Sequence, residues 1–198
     1  MDLLIATHNQ GKIQEYREML ADLPFNIVGL GDIGLGAVDV DETGTTFEEN
    51  AILKAVTYAR ASGRMAISDD SGICVDALDG APGIYSARYG NMPDDATRRT
   101  HLLENMVGVP EAERTAHFVC VIAVHHPANG RTMVIEGTCD GRILPEERGE
   151  GGFGYDRLFL PEDYSESFGE MPVEQKNALS HRGRAVAKLP EVLQAILS

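Results

Sequence analysis

The sequence predicts an α/β fold on a mixed sheet, and three observations lead there. The chain opens with an apolar run, Leu3-Leu4-Ile5-Ala6, then a helical repeat and a second apolar run, the order of a β-α-β unit. Phe118 to Val124 and Thr132 to Cys139 are rich in Val, Ile and Phe and flank Asn129-Gly130, a favoured hairpin pair. Further segments of helical spacing lie between and after these strands. At 198 residues the chain can bury one sizeable core, so a single domain over 1–198, with room for two lobes, is expected.

Taken in order, Leu3 to Ala6 reads as a short buried strand closed by the polar group Thr7-His8-Asn9-Gln10-Gly11-Lys12. Ile13, Tyr16, Leu20 and Leu23 then recur at helical spacing with Glu15, Arg17 and Glu18 between them. Phe25 to Leu30 is the second strand, and the acidic, Gly-rich stretch 31–44 reads as a loop. Thr45 with Glu48 and Thr46 with Glu49 form overlapping capping boxes for a helix that runs to about Ser62 and stops at Gly63. Met65 to Ser68 is a strand ending in the turn Asp69-Asp70-Ser71-Gly72, with another strand at Ile73 to Ala77. A Gly- and Pro-rich loop over 79–91 precedes a helix that begins at Pro93-Asp94-Asp95 and ends near Met106. After the hairpin come a Gly-rich loop over 149–156, apolar Leu158-Phe159-Leu160, a helix start at 172–176, and a terminal helix over about 182–197 with Pro190 inside it.

Composition narrows the function. A formal net charge of −14 repels nucleic-acid backbones, so a nucleic-acid polymer is not the expected partner. A small anion is still admissible, because local lysines or a metal can invert the field at one site. Cys74, Cys120 and Cys139 are odd in number and contain no Cys-x-x-Cys pair, which fits a reducing compartment and argues against a disulfide framework. There is no secretory signal pattern, and no apolar stretch nears the roughly 20 residues of a membrane span. The expected location is the cytoplasm.

Five segments can carry chemistry. Asp69-Asp70-Ser71-Gly72 offers carboxylates, the hard oxygen ligands that magnesium prefers, at a strand end. Taken alone it reads sooner as a capped, solvated turn, since Asp, Ser and Gly are also turn formers. The loop Thr7-His8-Asn9-Gln10-Gly11-Lys12 can turn backbone N–H groups, a helix dipole and a lysine towards phosphate, although it is no Walker A loop and an ordinary βα loop explains it equally well. Asn50, Lys54 and Thr57 share a helix face that is either functional or solvated, and Asp39, Asp41 and Glu42 precede it as metal-reaching or plain surface acids. Gly151-Gly152-Phe153-Gly154-Tyr155-Asp156 allows close backbone approach, with an aromatic ring to stack on a base, or is a tight turn with aromatic anchors. Lys176 and Ser180-His181-Arg182 bring donors near the C-terminus; a helix-dipole contact is the simpler explanation of the last pair. Together they offer carboxylates for a metal, lysines for phosphates, and aromatics with donors for a base. That combination suits a nucleotide. No nucleophile elbow or dinucleotide fingerprint competes with it.

These segments also match a known family. Ala6 to Lys12, Glu42 to Ala51 with Lys54, Asp69 to Gly72, Gly80 to Tyr89, Gly151 to Asp156 and Ser180 to Gly183 stand in the order seen in the inosine triphosphate pyrophosphatases, which the sequence closely resembles. The resemblance implies an elongated mixed β-sheet flanked by helices, two lobes with a central cleft, and a homodimer. It implies magnesium-dependent hydrolysis of non-standard purine nucleoside triphosphates (ITP, dITP, XTP) to the monophosphate and pyrophosphate, clearing them from the nucleotide pool. Asp70 would be the general base and a metal ligand, with the second acidic ligand at Asp41 or Glu42. Thr7, Asn9, Lys12, Ser71 and Lys176 would hold phosphates and sugar, and His8, Gln10, Gly11 and Lys54 would also belong to the substrate site. Phe153 would stack on the purine within the segment 153–156, which includes Gly154 and Tyr155, and Asp156, His181 and Arg182 would read its edge. His8 stands where many relatives have a small residue. The rival readings are a pyrophosphatase of modified pyrimidine triphosphates and a nucleotide-binding regulator without turnover.

Overall fold

The computed structural model describes residues 1–198. Six strands form one mixed sheet in the order β2-β1-β3-β4-β5-β6: β1 (Asp2–Ile5), β2 (Asn26–Gly29), β3 (Met65–Val75), β4 (Thr115–His125), β5 (Thr132–Ile143) and β6 (Phe159–Pro161). Six helices accompany them: α1 (Gln10–Met19), α2 (Phe47–Ser62), α3 (Asp95–Asn105), α4 (Val173–Leu179), α5 (His181–Val186) and α6 (Leu189–Leu197). The α/β class and the mixed sheet expected from sequence are both present. β1 pairs in parallel with β2 and β3, as a β-α-β unit requires, whereas β5 and β6 are antiparallel.

The chain divides into two compact units. The first comprises Met1–Asp70, Cys120–Gly137 and Arg182–Ser198; the second comprises Ser71–Val119 and Thr138–His181. In the first unit, alternate β1 side chains enter different clusters. Leu3 and Ile5 join Tyr16 of α1, Leu20 at its C-terminal cap, and Leu189, Leu193 and Ile196 of α6, while Leu4 and the following Ala6 join Tyr58 and Ala59 of α2. A strand covered on both faces needs a continuous apolar run, which is what 3–6 supply. The α2 start also follows its sequence signal. Thr46 Oγ1 accepts from the Glu49 amide at 3.1 Å, and the Glu49 carboxylate accepts from the Thr45 amide at 2.6 Å. Gly63 ends the helix in the left-handed region at φ 66°.

The second unit is centred on aromatic rings. Phe118 lies edge-on to Phe159 at 4.7 Å between centroids, and Phe159 meets Phe168 at 5.1 Å. Ile73, Val75, Leu102 and Met106 complete this core.

Several expected boundaries shift. The turn at Asp69-Asp70-Ser71-Gly72 is absent, because β3 runs unbroken from Met65 to Val75; it absorbs 73–75 of the strand expected at 73–77, and Asp76–Leu78 form a 3₁₀ turn. Lys12 and Arg182 engage Asp69, and Asn50 and Lys54 engage Asp70, so partners distant in sequence hold both aspartates in an extended strand instead of a local turn. The 79–91 loop contains 3₁₀ turns over Gly83–Asn91, and the hairpin strands extend beyond 118–124 and 132–139. The terminal helix is two helices. Pro190 sits in the first turn of α6, where its missing N–H costs nothing, so it starts a new helix instead of kinking an old one.

Candidate active site

Because β3 continues through 69 and 70, successive side chains point to opposite faces, and the two aspartates acquire different partners. Asp69, 1% exposed, accepts from Lys12 Nζ at 3.0 Å, Arg182 Nη2 at 2.9 Å and the Cys120 thiol at 3.7 Å. Arg182, itself 2% exposed, gives Nη1 to Glu15 at 2.6 Å. Burial alone would raise the Asp69 pKa, but Lys12 and Arg182 outweigh it and hold the carboxyl well below the usual range. The same surroundings push the Cys120 thiol up to about 12, through burial first and the Asp69 charge second.

Asp70 meets α2. Asn50 Nδ2 donates to its Oδ2 at 3.2 Å, and Lys54 Nζ approaches its Oδ1 at 3.4 Å. Lys54 also bridges to Glu42, so one ammonium spans two carboxylates. Asn50 Oδ1 accepts from the Gly44 amide at 2.8 Å and thereby fixes which end of its amide faces Asp70. Here burial wins: the Asp70 pKa is raised above the carboxylate norm despite Lys54 and Lys12, with Glu42 adding to the rise. The Lys54 pKa is also raised, because Asp70 and Glu42 outweigh its burial.

The other residues of the first unit lie along the β1–α1 connection. Asn9 caps α1 by accepting from the Lys12 amide at 3.1 Å, and Thr7 Oγ1 accepts from the Asn9 amide at 3.2 Å. His8 Nε2 contacts the Val38 carbonyl at 2.8 Å and the Tyr58 hydroxyl at 3.1 Å, so its ring is tied to the protein. Gln10 is exposed and Gly11 half-buried in the first turn of α1. Of the two metal-ligand candidates, Glu42 joins the Lys54–Asp70 cluster; Asp41 is exposed, and only its carbonyl engages the chain, by accepting from the Thr43 amide. Two hard carboxylates around one cationic position fit magnesium, which is usually held by one or two carboxylates with substrate phosphates and water completing its shell.

In the second unit the Gly-rich segment holds Phe153 half-buried. Asp156 Oδ2 accepts from the Phe153 amide at 2.8 Å and from Lys176 Nζ at 2.6 Å, while Lys176 Nζ also lies 4.7 Å from the Phe153 ring centroid. Tyr155 is buried and donates its hydroxyl to the Ser86 carbonyl at 2.9 Å. His181, 4% exposed, stacks on Phe118 at 4.5 Å with 9° between the ring planes. Ser71 is half-buried in β3.

Two buried participants escaped the sequence reading. Glu15 lies among polar residues of α1 and reads as solvent-facing, yet it is 6% exposed and bound to Arg182. Cys120 sits in a strongly apolar strand and reads as core; nothing local signals its contact with Asp69.

Comparison with known proteins identifies the family. Residues 3–192 match the Ham1 family. A dITP/XTP pyrophosphatase of Desulforamulus reducens is 47% identical over 99% of this chain and 97% of its own. The enzyme of the same name from Bacillus subtilis is 43% identical over 98% of each chain. A Ham1 protein structure from Coxiella burnetii superposes with a TM-score of 0.87 at 36% identity, covering 98% of this chain and 99% of that one. The Staphylococcus aureus Ham1 structure gives 0.86 at 38% identity, covering 99% and 100%. The family resemblance read from the short motifs is thus borne out along nearly the whole length, and the chain belongs to the Ham1 family.

Proposed function

We propose that this protein hydrolyses non-standard purine nucleoside triphosphates, ITP, dITP and XTP, to the nucleoside monophosphate and pyrophosphate, and so removes them from the nucleotide pool. The dITP/XTP pyrophosphatase relatives support the reaction class, and the Asp70–Lys54–Glu42 cluster is the observation that carries the chemistry. Asp70 takes the proton of the water that attacks the α-phosphorus. In the metal-free protein burial raises the Asp70 pKa, the direction that favours a general base. Asn50 holds one Asp70 oxygen in place, and Lys54 balances the charge of the two carboxylates. Asp70 and Glu42 would hold magnesium, which when bound would supply charge neutralisation at the triphosphate.

Lys12 and the amides at the start of α1 bind phosphate oxygens, with Ser71 and Lys176 as further phosphate contacts. Phe153 stacks on the base, and Asp156, His181 and Arg182 read its edge: His181 and Arg182 donate to the 6-oxo group, where adenine's 6-amino group would itself donate, and Asp156 accepts from N1–H, which adenine lacks. A site whose donors would be left unpaired rejects the wrong edge. The enzyme works as a homodimer, a reading that the family resemblance supports and that light scattering tests. Three cysteines without a disulfide support a cytoplasmic setting, and no helix is long and apolar enough to cross a membrane.

The direct test of Asp70 is the Asp70→Asn variant, which keeps the side-chain shape and removes the base. We expect a folded protein whose turnover of ITP falls by about a hundred- to ten-thousand-fold. Near-normal pyrophosphate release would remove Asp70 from the role.

A further inference from the structure

The segment that carries Phe153 is fixed from outside itself by α3. Asp94, not Asp95, caps that helix, by accepting from the Thr97 amide at 2.8 Å. Asp95 pairs through Oδ1 with Arg98 Nη2 on its own helix, and its Oδ2 reaches a residue 59 positions away, accepting from the Gly154 amide at 2.7 Å. One turn later on the same helix face, Arg99 Nη1 donates to the Gly154 carbonyl at 2.9 Å, and its Nε lies 2.9 Å from Glu147. Arg99 is 6% exposed, so this contact is made away from water.

The two bonds act on backbone torsions. The Phe153 amide is held by Asp156 and the Gly154 amide by Asp95, so both peptide planes flanking Phe153 are fixed. With φ and ψ of Phe153 set in this way, the direction in which its ring leaves the chain is set too. Arg99 fixes the next plane, beyond Gly154, whose φ of 57° is left-handed and would otherwise be an easy point of rotation.

We propose that Asp95 and Arg99 of α3 are positioning residues for base recognition: by clamping the backbone of Gly154 they hold the Phe153 ring in the orientation that stacks on the purine. This rests on the assignment of Phe153 as the stacking residue. Neither α3 side chain touches substrate. Their contribution is pre-organisation, which lowers the ordering cost otherwise met at binding.

The test uses the full-length enzyme with magnesium and compares Asp95→Ala, Asp95→Asn and Phe153→Ala. Measured quantities are KM and kcat for ITP, the inhibition constant of inorganic triphosphate, which has no base to stack, and the melting temperature. Asp95→Ala is expected to raise KM about tenfold, the loss of one hydrogen bond to a charged acceptor, with kcat and triphosphate inhibition within about twofold. Asp95→Asn keeps an acceptor for the Gly154 amide and should restore KM to near its original value, a rescue that a purely electrostatic role would not show. Placing Asp95→Ala on the Phe153→Ala background should add little, because the ring to be oriented is gone. If Asp95→Ala does not fold, Arg99→Gln carries the same comparison.

Folded variants with unchanged KM, beside a Phe153→Ala enzyme whose KM rises, would overturn the clamp and leave the stacking assignment standing. Asn behaving like Ala would overturn it as well. An unchanged KM in Phe153→Ala would instead remove the stacking assignment itself, and the clamp with it.

Discussion

Replacing Asp69 by Asn tests whether the buried charge cluster is what allows the first unit to hold an arginine out of water. Asp69 and Arg182 side chains are 0% and 2% exposed, Glu15 is 8% exposed and Lys12 13%. Two positive and two negative charges cancel in that space. The Asn side chain has nearly the same shape, so no cavity opens and the perturbation is one of charge. It leaves Arg182 and Lys12 without the carboxylate they share. Lys12 can turn partly to water; Arg182 cannot. Removing one partner of a buried pair costs about 3–5 kcal/mol, most of it the penalty for the charge left behind. For a chain of this size each kcal/mol moves the melting temperature by about 2–4 °C, so a fall of roughly 6–20 °C is expected. Urea unfolding followed by circular dichroism, with an unchanged m-value, gives the free energy directly. Glu15→Gln should cost less, because Arg182 keeps its contact with Asp69. A loss below about 1 kcal/mol in Asp69→Asn would refute the reasoning, since it would mean that the arginine finds water or another partner at no cost.

Two further outcomes concern the second unit. Gly152 has φ 69°, and a Cβ there would meet Asp156 Oδ2 at 2.2 Å, the atom that accepts from the Phe153 amide. Gly152→Ala should therefore cost about 2 kcal/mol or more and raise KM for ITP; an unchanged melting temperature would show that the segment adapts freely. Acid should weaken this unit in a defined window. The Thr97 amide holds the Asp94 carboxyl below its usual value, the Arg98 and Gly154 contacts do the same for Asp95 against the effect of burial, and the Ser167 amide does so for Glu170. Groups with depressed folded-state pKa values stabilise fully above the ordinary carboxylate range of about 4 and lose that contribution as pH falls through their lower folded values. A melting temperature level from pH 7 to 5 and falling below about pH 4 is expected; one that stays level to pH 3 would contradict it.

How much of this was legible beforehand depended on where each residue finds its partners. The cap of α2 was readable because its partners lie within one turn: Thr46 accepts from the Glu49 amide, and the Glu49 carboxylate accepts from the Thr45 amide. The strand β1 was readable because both of its faces are apolar. Asp69 and Asp70 were misread as a turn for the opposite reason: the groups that stabilise them in a strand come from residues 12, 50, 54 and 182, and no local window contains those. The error mattered, since a turn would present both carboxylates together, whereas a strand sends them to opposite faces with opposite pKa shifts. Glu15 and Arg182 are 167 positions apart, and neither shows in sequence that it is buried. The split at Pro190 was half visible: proline announced a break, and its tolerance in a first helical turn decided what kind.

The measurement closest to the central claim is pyrophosphate release from a panel of ITP, XTP, GTP, ATP, dTTP and UTP, each with and without magnesium. The account predicts rapid release from ITP and XTP, little from the other four, and loss of activity without the metal. A preference for ATP or for the pyrimidine triphosphates, or nucleotide binding with no pyrophosphate released, would contradict it.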